Sequence, residues 1–233
     1  MSDFEKVVML LLFMLSGLTA AFAQGFEPTD TWPYLYRDFQ AGIIKMDVAG
    51  EDIKAAGMNI SLDGKIHYIN EKDQKVMAAD MLHVASAKIE GDIFLNVGGK
   101  MMLLMAENSN GAVVCETSLD SDEMSKSDIG YGISSSTAST QKLSSLVGDA
   151  SSFLRLPLST LMENRKEGEK LPVRQRLYIR VGLNVIPASK RGVSDSPVMD
   201  KDAAKAFFKT NKIKWNDPMS LLTVVDFISG QNK

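Results

Sequence analysis

One spacing in the sequence could support covalent catalysis, a serine followed three residues later by a lysine, Ser139 and Lys142. In penicillin-recognising enzymes a lysine at this spacing takes up the proton of the serine nucleophile. The accompanying motifs of those enzymes are missing, since Ser194-Asp195 is followed by serine and Lys209-Thr210 by asparagine. A periplasmic serine hydrolase that uses Ser139 and Lys142 is therefore an alternative hypothesis.

Residue types that bind metals or cofactors are sparse. His67 and His83 lie in or beside predicted strands, and no cysteine or carboxylate stands near them at the spacing of a zinc site. The stretch Gly130 to Gly132 lacks the third glycine of a dinucleotide-binding loop. Cys115 lies in an alternating apolar run and is expected to be a small buried residue. We predict no catalytic residue, no metal site and no cofactor.

Aromatic side chains are concentrated between Asp30 and Phe39. Trp32, Tyr34 and Tyr36 fall in this stretch of a chain that is only 7% aromatic. A proline at position 33 disfavours a helix, so the pattern predicts an extended arm whose rings pack on the domain. An exposed strip that binds a partner is the alternative.

Lysines are concentrated near the C-terminus, where charge is unevenly divided. Residues 24–159 carry 11 basic and 19 acidic side chains, whereas residues 160–233 carry 14 basic and 8 acidic ones. The two parts are expected to attract each other, or the basic part binds something anionic. The candidates for such binding are Lys205, Lys209, Lys212 and Lys214, which follow Lys201. The simpler interpretation is that these lysines form the solvent-exposed side of one helix and of the turn after it.

Short apolar runs every eight to twelve residues predict the elements that must position these side chains. Turn dipeptides such as Asp63-Gly64 and Gly98-Gly99 separate the runs and favour two-residue hairpins. The pattern predicts an antiparallel β meander, closed as a barrel or folded as a two-sheet sandwich. The predicted strands are 43–48, 53–62, 65–70, 75–78, 85–89, 92–97, 100–105 and 112–117.

A mixed C-terminal part follows, so the predicted fold class is α+β. Residues 118–140 are rich in Ser, Asp and Gly and predict a linker or surface loop. Residues 141–233 form the mixed part, which we expect to pack with the aromatic arm and meander of residues 24–117. It is predicted to contain a short helix at 158–166, a hairpin across Gly182 and two closing helices, 201–210 and 219–228.

The N-terminus is typical of a secretory signal peptide. An apolar run from Val7 to Ala20 follows Lys6 and precedes Ala21-Phe22-Ala23, a small-x-small cleavage pattern. We therefore expect residues 1–23 to be removed and the protein to be exported. No later run reaches the roughly 20 apolar residues of a transmembrane helix, so no span is expected in the mature chain.

Several segments along the chain are distinctive in combination: Trp32 to Tyr36 with Phe39, Leu62 to Tyr68, Asn96 to Met101, Lys142 to Ser145, Ile186 to Lys190, Asn211 to Trp215 and Val225 to Phe227. Through these segments the sequence resembles a family of exported proteins from Bacteroidales-type bacteria to which no activity is assigned. The resemblance covers nearly the whole mature chain and implies a Gram-negative envelope, with the periplasm or the outer cell surface as the destination.

These observations favour a non-enzymatic envelope protein. We expect a β-rich binding or adaptor domain for a partner protein or a cell-surface polymer. Its candidate contact residues are Trp32, Tyr34, Tyr36, Lys205, Lys209, Lys212 and Lys214. A nucleic-acid partner is not expected, because no aromatic or arginine platform is interleaved with the lysines.

Overall fold

The computed structural model describes residues 33–47, 51–72, 74–120 and 172–231. Ten strands in these ranges form one antiparallel sheet, and three helices follow in the C-terminal part. In chain order the elements are β1 (Gln40–Met46), β2 (Ile53–Ile60), β3 (Ile66–Ile69), β4 (Val76–Ala78), β5 (Val84–Ile89), β6 (Asp92–Val97), β7 (Lys100–Asn108), β8 (Gly111–Leu119), β9 (Val173–Val181), β10 (Asn184–Pro187), α1 (Lys190–Ser194), α2 (Lys201–Thr210) and α3 (Pro218–Gln231).

The eight strands predicted from the apolar alternation are all present as β1 to β8. The alternation predicted these strands well because the turn dipeptides mark the end of one strand and the start of the next. Gly98 and Gly99, with φ of 60° and 81°, supply the two positive φ angles of the tight turn that joins β6 to β7. The α+β prediction is confirmed to this extent: the protein is mostly antiparallel sheet, with helices near its C-terminus.

The strand order differs from a simple meander. It runs β10-β9-β8-β7-β6-β5-β1-β2-β3-β4, so β1 lies between β5 and β2, and β4 and β5 are not neighbours. The strands form a single sheet, curled as a half-barrel with β4 and β10 at its edges, rather than the predicted closed barrel or two-sheet sandwich. Alternation shows which residues share a face of a sheet but not which strands pair. The pairing of β1 with β5 joins segments that are far apart in the chain.

A glycine allows β1 to fit between its two neighbours. Gly42 pairs with Ala55 on β2 and with Ile89 on β5. A Cβ atom at position 42 would lie only 2.5 Å from the carbonyl oxygen of Lys88 and would collide with the Met58 side chain. The strand therefore needs glycine at this position for reasons of space, since larger side chains would separate the strands.

The C-terminal part continues the same sheet. The predicted hairpin across Gly182 is present as β9 and β10, and β9 pairs with β8 along its length. Both predicted closing helices are also confirmed as α2 and α3. The Asp200 carboxylate caps α2 by accepting a hydrogen bond of 2.7 Å from the Ala203 amide, as its position before the helix predicts.

Clusters of buried apolar side chains pack on the sheet. One, around Ile44, Met58 and Phe94, is formed by β1, β2, β3, β5, β6 and β7. Another lies between α3 and strands β7 to β9, where Leu221, Val224 and their neighbours on the helix are fully buried. Burial of each such aliphatic side chain contributes about 1.5–3 kcal/mol, so this contact holds the helices on the sheet.

Several predictions fall outside the described residues. These are the signal peptide at 1–23, Trp32, the part of the predicted loop from 121 to 140, the Ser139 and Lys142 pair, and the predicted helix at 158–166. The loop was predicted to begin at 118, but β8 continues to Leu119. None of the described helices combines the length and the apolar character that a membrane span needs.

Candidate functional site

The aromatic arm lies along β2 as an extra extended segment. The Leu35 amide donates to the carbonyl of Ile60 at 2.8 Å, and the Leu62 amide donates to that of Pro33 at 2.8 Å. The fully buried Asn59 side chain adds three hydrogen bonds to the arm's backbone: its Oδ1 accepts from the Tyr36 amide, and its Nδ2 donates to the carbonyls of Tyr36 and Asp38. Sequence analysis missed this role of Asn59, although a polar residue inside an apolar strand is a signal for such a contact.

The rings of the arm are turned toward the sheet. The Tyr36 hydroxyl donates a 2.6 Å hydrogen bond to Asp92, and its ring packs edge-on against Phe94. The Tyr34 ring packs edge-on against Phe39 and against His67. Both tyrosines are partly buried, and their contacts agree with the arm that packs on the domain. Their use in partner binding stays a prediction.

A small polar cluster joins the arm to β3. The Tyr34 hydroxyl and Nδ1 of His67 are 2.9 Å apart, and Asp63 lies close enough to influence both groups. Burial lowers the pKa of His67, although the Asp63 charge opposes this, and burial followed by the Asp63 charge raises the pKa of Tyr34. Both side chains are therefore held neutral near pH 7, which suits a structural hydrogen bond.

The serine in this cluster is not arranged as a nucleophile. The fully buried Ser61 hydroxyl bonds to the Asp63 carboxylate and to the carbonyl of Lys65. A catalytic triad requires the serine to bond to the histidine, with the acid behind it. Here the serine bonds directly to the acid, so Ser61, Asp63 and His67 do not form a triad.

The second histidine lies elsewhere. His83 is about half exposed, with its ring nitrogens 3.8 Å from Asp47 and 3.9 Å from Asp80. Among the described residues, no group of three or more His, Cys, Asp or Glu side chains could hold a metal ion. Cys115 is buried as expected, and burial raises the pKa of its thiol to about 11.

A further polar cluster that sequence analysis missed joins β7, β8 and β9. Glu116, whose side chain is only 13% exposed, accepts from Lys100 Nζ at 2.6 Å and from the Tyr178 hydroxyl at 3.1 Å. Burial and the Glu116 charge raise the pKa of Tyr178. Both carboxylate oxygens are occupied, so the cluster links three strands and leaves no free acid for proton transfer. Only the register of the sheet brings these residues together.

The four candidate lysines lie on α2 or in the segment that follows it. Lys205 and Lys209 recur four residues apart on α2 with Lys201 before them, which places all three in one stripe of the helix. Lys212 and Lys214 lie in the segment after α2. All five side chains are exposed, and none makes an ion pair with a described residue. We call this set of side chains, Lys201, Lys205, Lys209, Lys212 and Lys214, the lysine face.

Aromatic packing behind the lysine face fixes its position. Phe207 of α2 stacks on Phe227 of α3, with ring centroids 4.0 Å apart and planes within 5° of parallel. Phe208 packs against Trp215, which lies between Lys214 and α3. The lysines are therefore presented by a helix anchored through α3 to β7, β8 and β9. No described contact joins the lysine face to the aromatic arm, which lies on β2.

No protein-family model, no curated protein and no solved structure matches this chain. The information on function therefore comes from the arrangement of side chains. Within the described part of the chain, that arrangement offers two kinds of polar group. Tyr34 with His67, Tyr36 with Asp92 and Tyr178 with Glu116 form internal hydrogen bonds, whereas the lysines of the lysine face make no ion pair with a described residue.

Proposed function

We propose that the protein is a non-enzymatic binding domain of the Gram-negative envelope, exported to the periplasm or the outer surface, whose lysine face docks an anionic cell-surface polymer. The observation that carries the proposal is the set of five exposed lysines that have no acidic partner among the described residues. The N-terminal leader pattern and the resemblance to exported proteins support the location.

The lysine face carries an electrostatic cost that an anionic ligand would remove. Lys201, Lys205 and Lys209 form two like-charge pairs four residues apart, and each such pair destabilises a helix by about 0.2–0.5 kcal/mol. Asp202 is the only acidic residue within α2. The chain as a whole has a net charge of −3, so this positive surface is local rather than a consequence of composition.

The form of the face favours a polymer over a compact ligand. On α2 the lysines recur every four residues, a rise of about 6 Å along the helix axis. Their ammonium groups act as point charges and lack the fixed planar geometry of the arginine guanidinium. Such an array can follow a chain of repeated carboxylate, sulfate or phosphate groups without selecting one geometry. Binding of this kind is driven by charge and is weakened by salt.

The test is binding of the purified protein to immobilised dextran sulfate, with uncharged dextran as the reference surface. Replacing Lys205 and Lys209 together by glutamine should weaken binding about tenfold or more, because each lysine near an anionic surface contributes about 1 kcal/mol. Binding should also weaken as salt rises through the range where the Debye length falls to about 8 Å.

A charge-matched control separates the lysine face from net charge. Lys54 on β2 and Lys88 on β5 are also exposed, and replacing both by glutamine removes the same charge from another part of the sheet. This control should bind like the unmodified protein. Equal loss in the two double variants, or no binding to dextran sulfate at low salt, would refute the proposal. A partner of the acidic-protein class would then be the next candidate.

A further inference from the structure

The two edges of the sheet are protected to different degrees. β10 ends at Pro187, which has no backbone N–H, and α1 begins three residues later. The Pro187 carbonyl accepts a hydrogen bond from the Ser189 amide at 2.7 Å. Proline and a following helix are common means of blocking an edge. β4 has neither device, and its three residues Val76, Met77 and Ala78 are all exposed.

The hydrogen-bond pattern shows which backbone groups of β4 face outward. The Asn70 amide bonds to the carbonyl of Lys75, and the Ala79 amide bonds to the carbonyl of Ile66, each at 2.9 Å. Residues 75, 77 and 79 therefore turn their N–H and C=O groups toward β3. Because these directions alternate along a strand, Val76 and Ala78 turn theirs away from the sheet. No described residue bonds to those four groups.

We propose that a second copy of this chain pairs with β4 edge to edge, antiparallel, about a two-fold axis at Met77. In this register Val76 of each copy lies opposite Ala78 of the other. Each Val76 and Ala78 pair exchanges two backbone hydrogen bonds, and the symmetry repeats the pair. All four outward groups of each β4 are satisfied, and the sheets of the two copies become continuous.

The side chains of β4 suit this self-pairing. Met77, which is 41% exposed, lies opposite Met77 of the second copy, and Val76, which is 55% exposed, lies opposite the small Ala78. Lys75 lies opposite Ala79, so no like charges face each other across the axis. The register thus covers two exposed apolar side chains of each copy. Self-complementarity of this kind is what a two-fold interface requires, which is why a second copy is the occupant.

The pairing goes beyond the proposed function and does not depend on it, because β4 is an edge of the sheet, whereas the lysine face is anchored through α3 to β7, β8 and β9. Sedimentation equilibrium of the purified protein tests it directly. We expect reversible dimers as concentration rises toward about 1 mM, the affinity range of a small contact. A monomer throughout that range would overturn the proposal.

Opposed charges at the two-fold axis provide the decisive variants. Met77→Lys and Met77→Glu each place like charges opposite each other, so each variant alone should be monomeric. An equal mixture of the two places lysine opposite glutamate and should dimerise again. A Met77→Lys protein that still dimerises, or a mixture that stays monomeric although the unmodified protein dimerises, would refute the register.

A proline variant and a variant at the other edge complete the test. Ala78→Pro removes an outward N–H without breaking a bond to β3, so the fold should persist while dimerisation is lost. Val185→Lys, at a partly exposed position on β10, should dimerise normally. Circular dichroism confirms that each variant is folded. Loss of the dimer in Val185→Lys but not in Ala78→Pro would place the contact at β10 and contradict the proposal.

Discussion

The hydrogen bond between Tyr36 and Asp92 is one of the contacts that hold the aromatic arm on the domain. The hydroxyl and the carboxylate oxygen are 2.6 Å apart, and Tyr36 also packs edge-on against Phe94. Tyr36→Phe removes the hydroxyl and keeps the ring. A hydrogen bond to a charged group contributes about 1.5–3 kcal/mol to the free energy of unfolding. Because this pair is partly exposed, we expect Tyr36→Phe to lower that free energy by about 1–2 kcal/mol.

Urea denaturation of four proteins measures this contribution: the unmodified chain, Tyr36→Phe, Asp92→Asn and the double variant. The coupling energy between the two changes should be about 1 kcal/mol, because each single change removes the same bond. Tyr68→Phe is the matched control, since the Tyr68 hydroxyl bonds to no described residue and its loss should leave the free energy of unfolding nearly unchanged.

A coupling energy close to zero would show that Tyr36 and Asp92 do not interact in solution, and would favour for Tyr36 the alternative of an exposed aromatic residue that binds a partner. The same proteins should also bind dextran sulfate equally well. Weaker binding by folded Tyr36→Phe would contradict the assignment of binding to the lysine face.

Two further predictions concern titratable side chains. Burial lowers the pKa of His67 below about 6.5, its value in an unfolded chain, so the folded state takes up the proton less readily and stability is lost as pH falls below that value. His67→Gln should therefore lose less stability than the unmodified protein between pH 7 and 5, as urea denaturation at each pH would measure. The thiol of Cys115, with a pKa raised to about 11, should react with iodoacetamide at pH 8 at least about a hundredfold more slowly in the folded protein than in urea. Fast labelling of the folded protein would contradict its burial.

Local patterns were sufficient to predict most of the elements. The alternation from Gly42 to Thr117, ended by turn dipeptides, predicted the eight strands because pleating places every second side chain on the same face. Asp200 before α2 and Pro218 at the start of α3 predicted the two closing helices through capping and a preset φ angle. The lysine stripe on α2 followed from the same helical spacing.

Those local patterns did not predict contacts between segments that are distant in the sequence. The insertion of β1 between β5 and β2 depends on the space beside Gly42, and the cluster around Glu116 depends on the register of three strands. The role of Asn59 was also missed, although a polar residue within an apolar strand is a signal for a buried hydrogen bond.

Local sequence indicated which segments form strands and helices, which of their faces are apolar and where charge accumulates, because these properties depend on residues within a few positions of one another. Only the folded chain shows that the strands form one open sheet, which groups Tyr34 and Tyr36 contact, and that β4 is an edge of that sheet. Those outcomes depend on which surfaces meet when the chain collapses, and pairing between strands far apart in sequence leaves no periodic signal in any one of them.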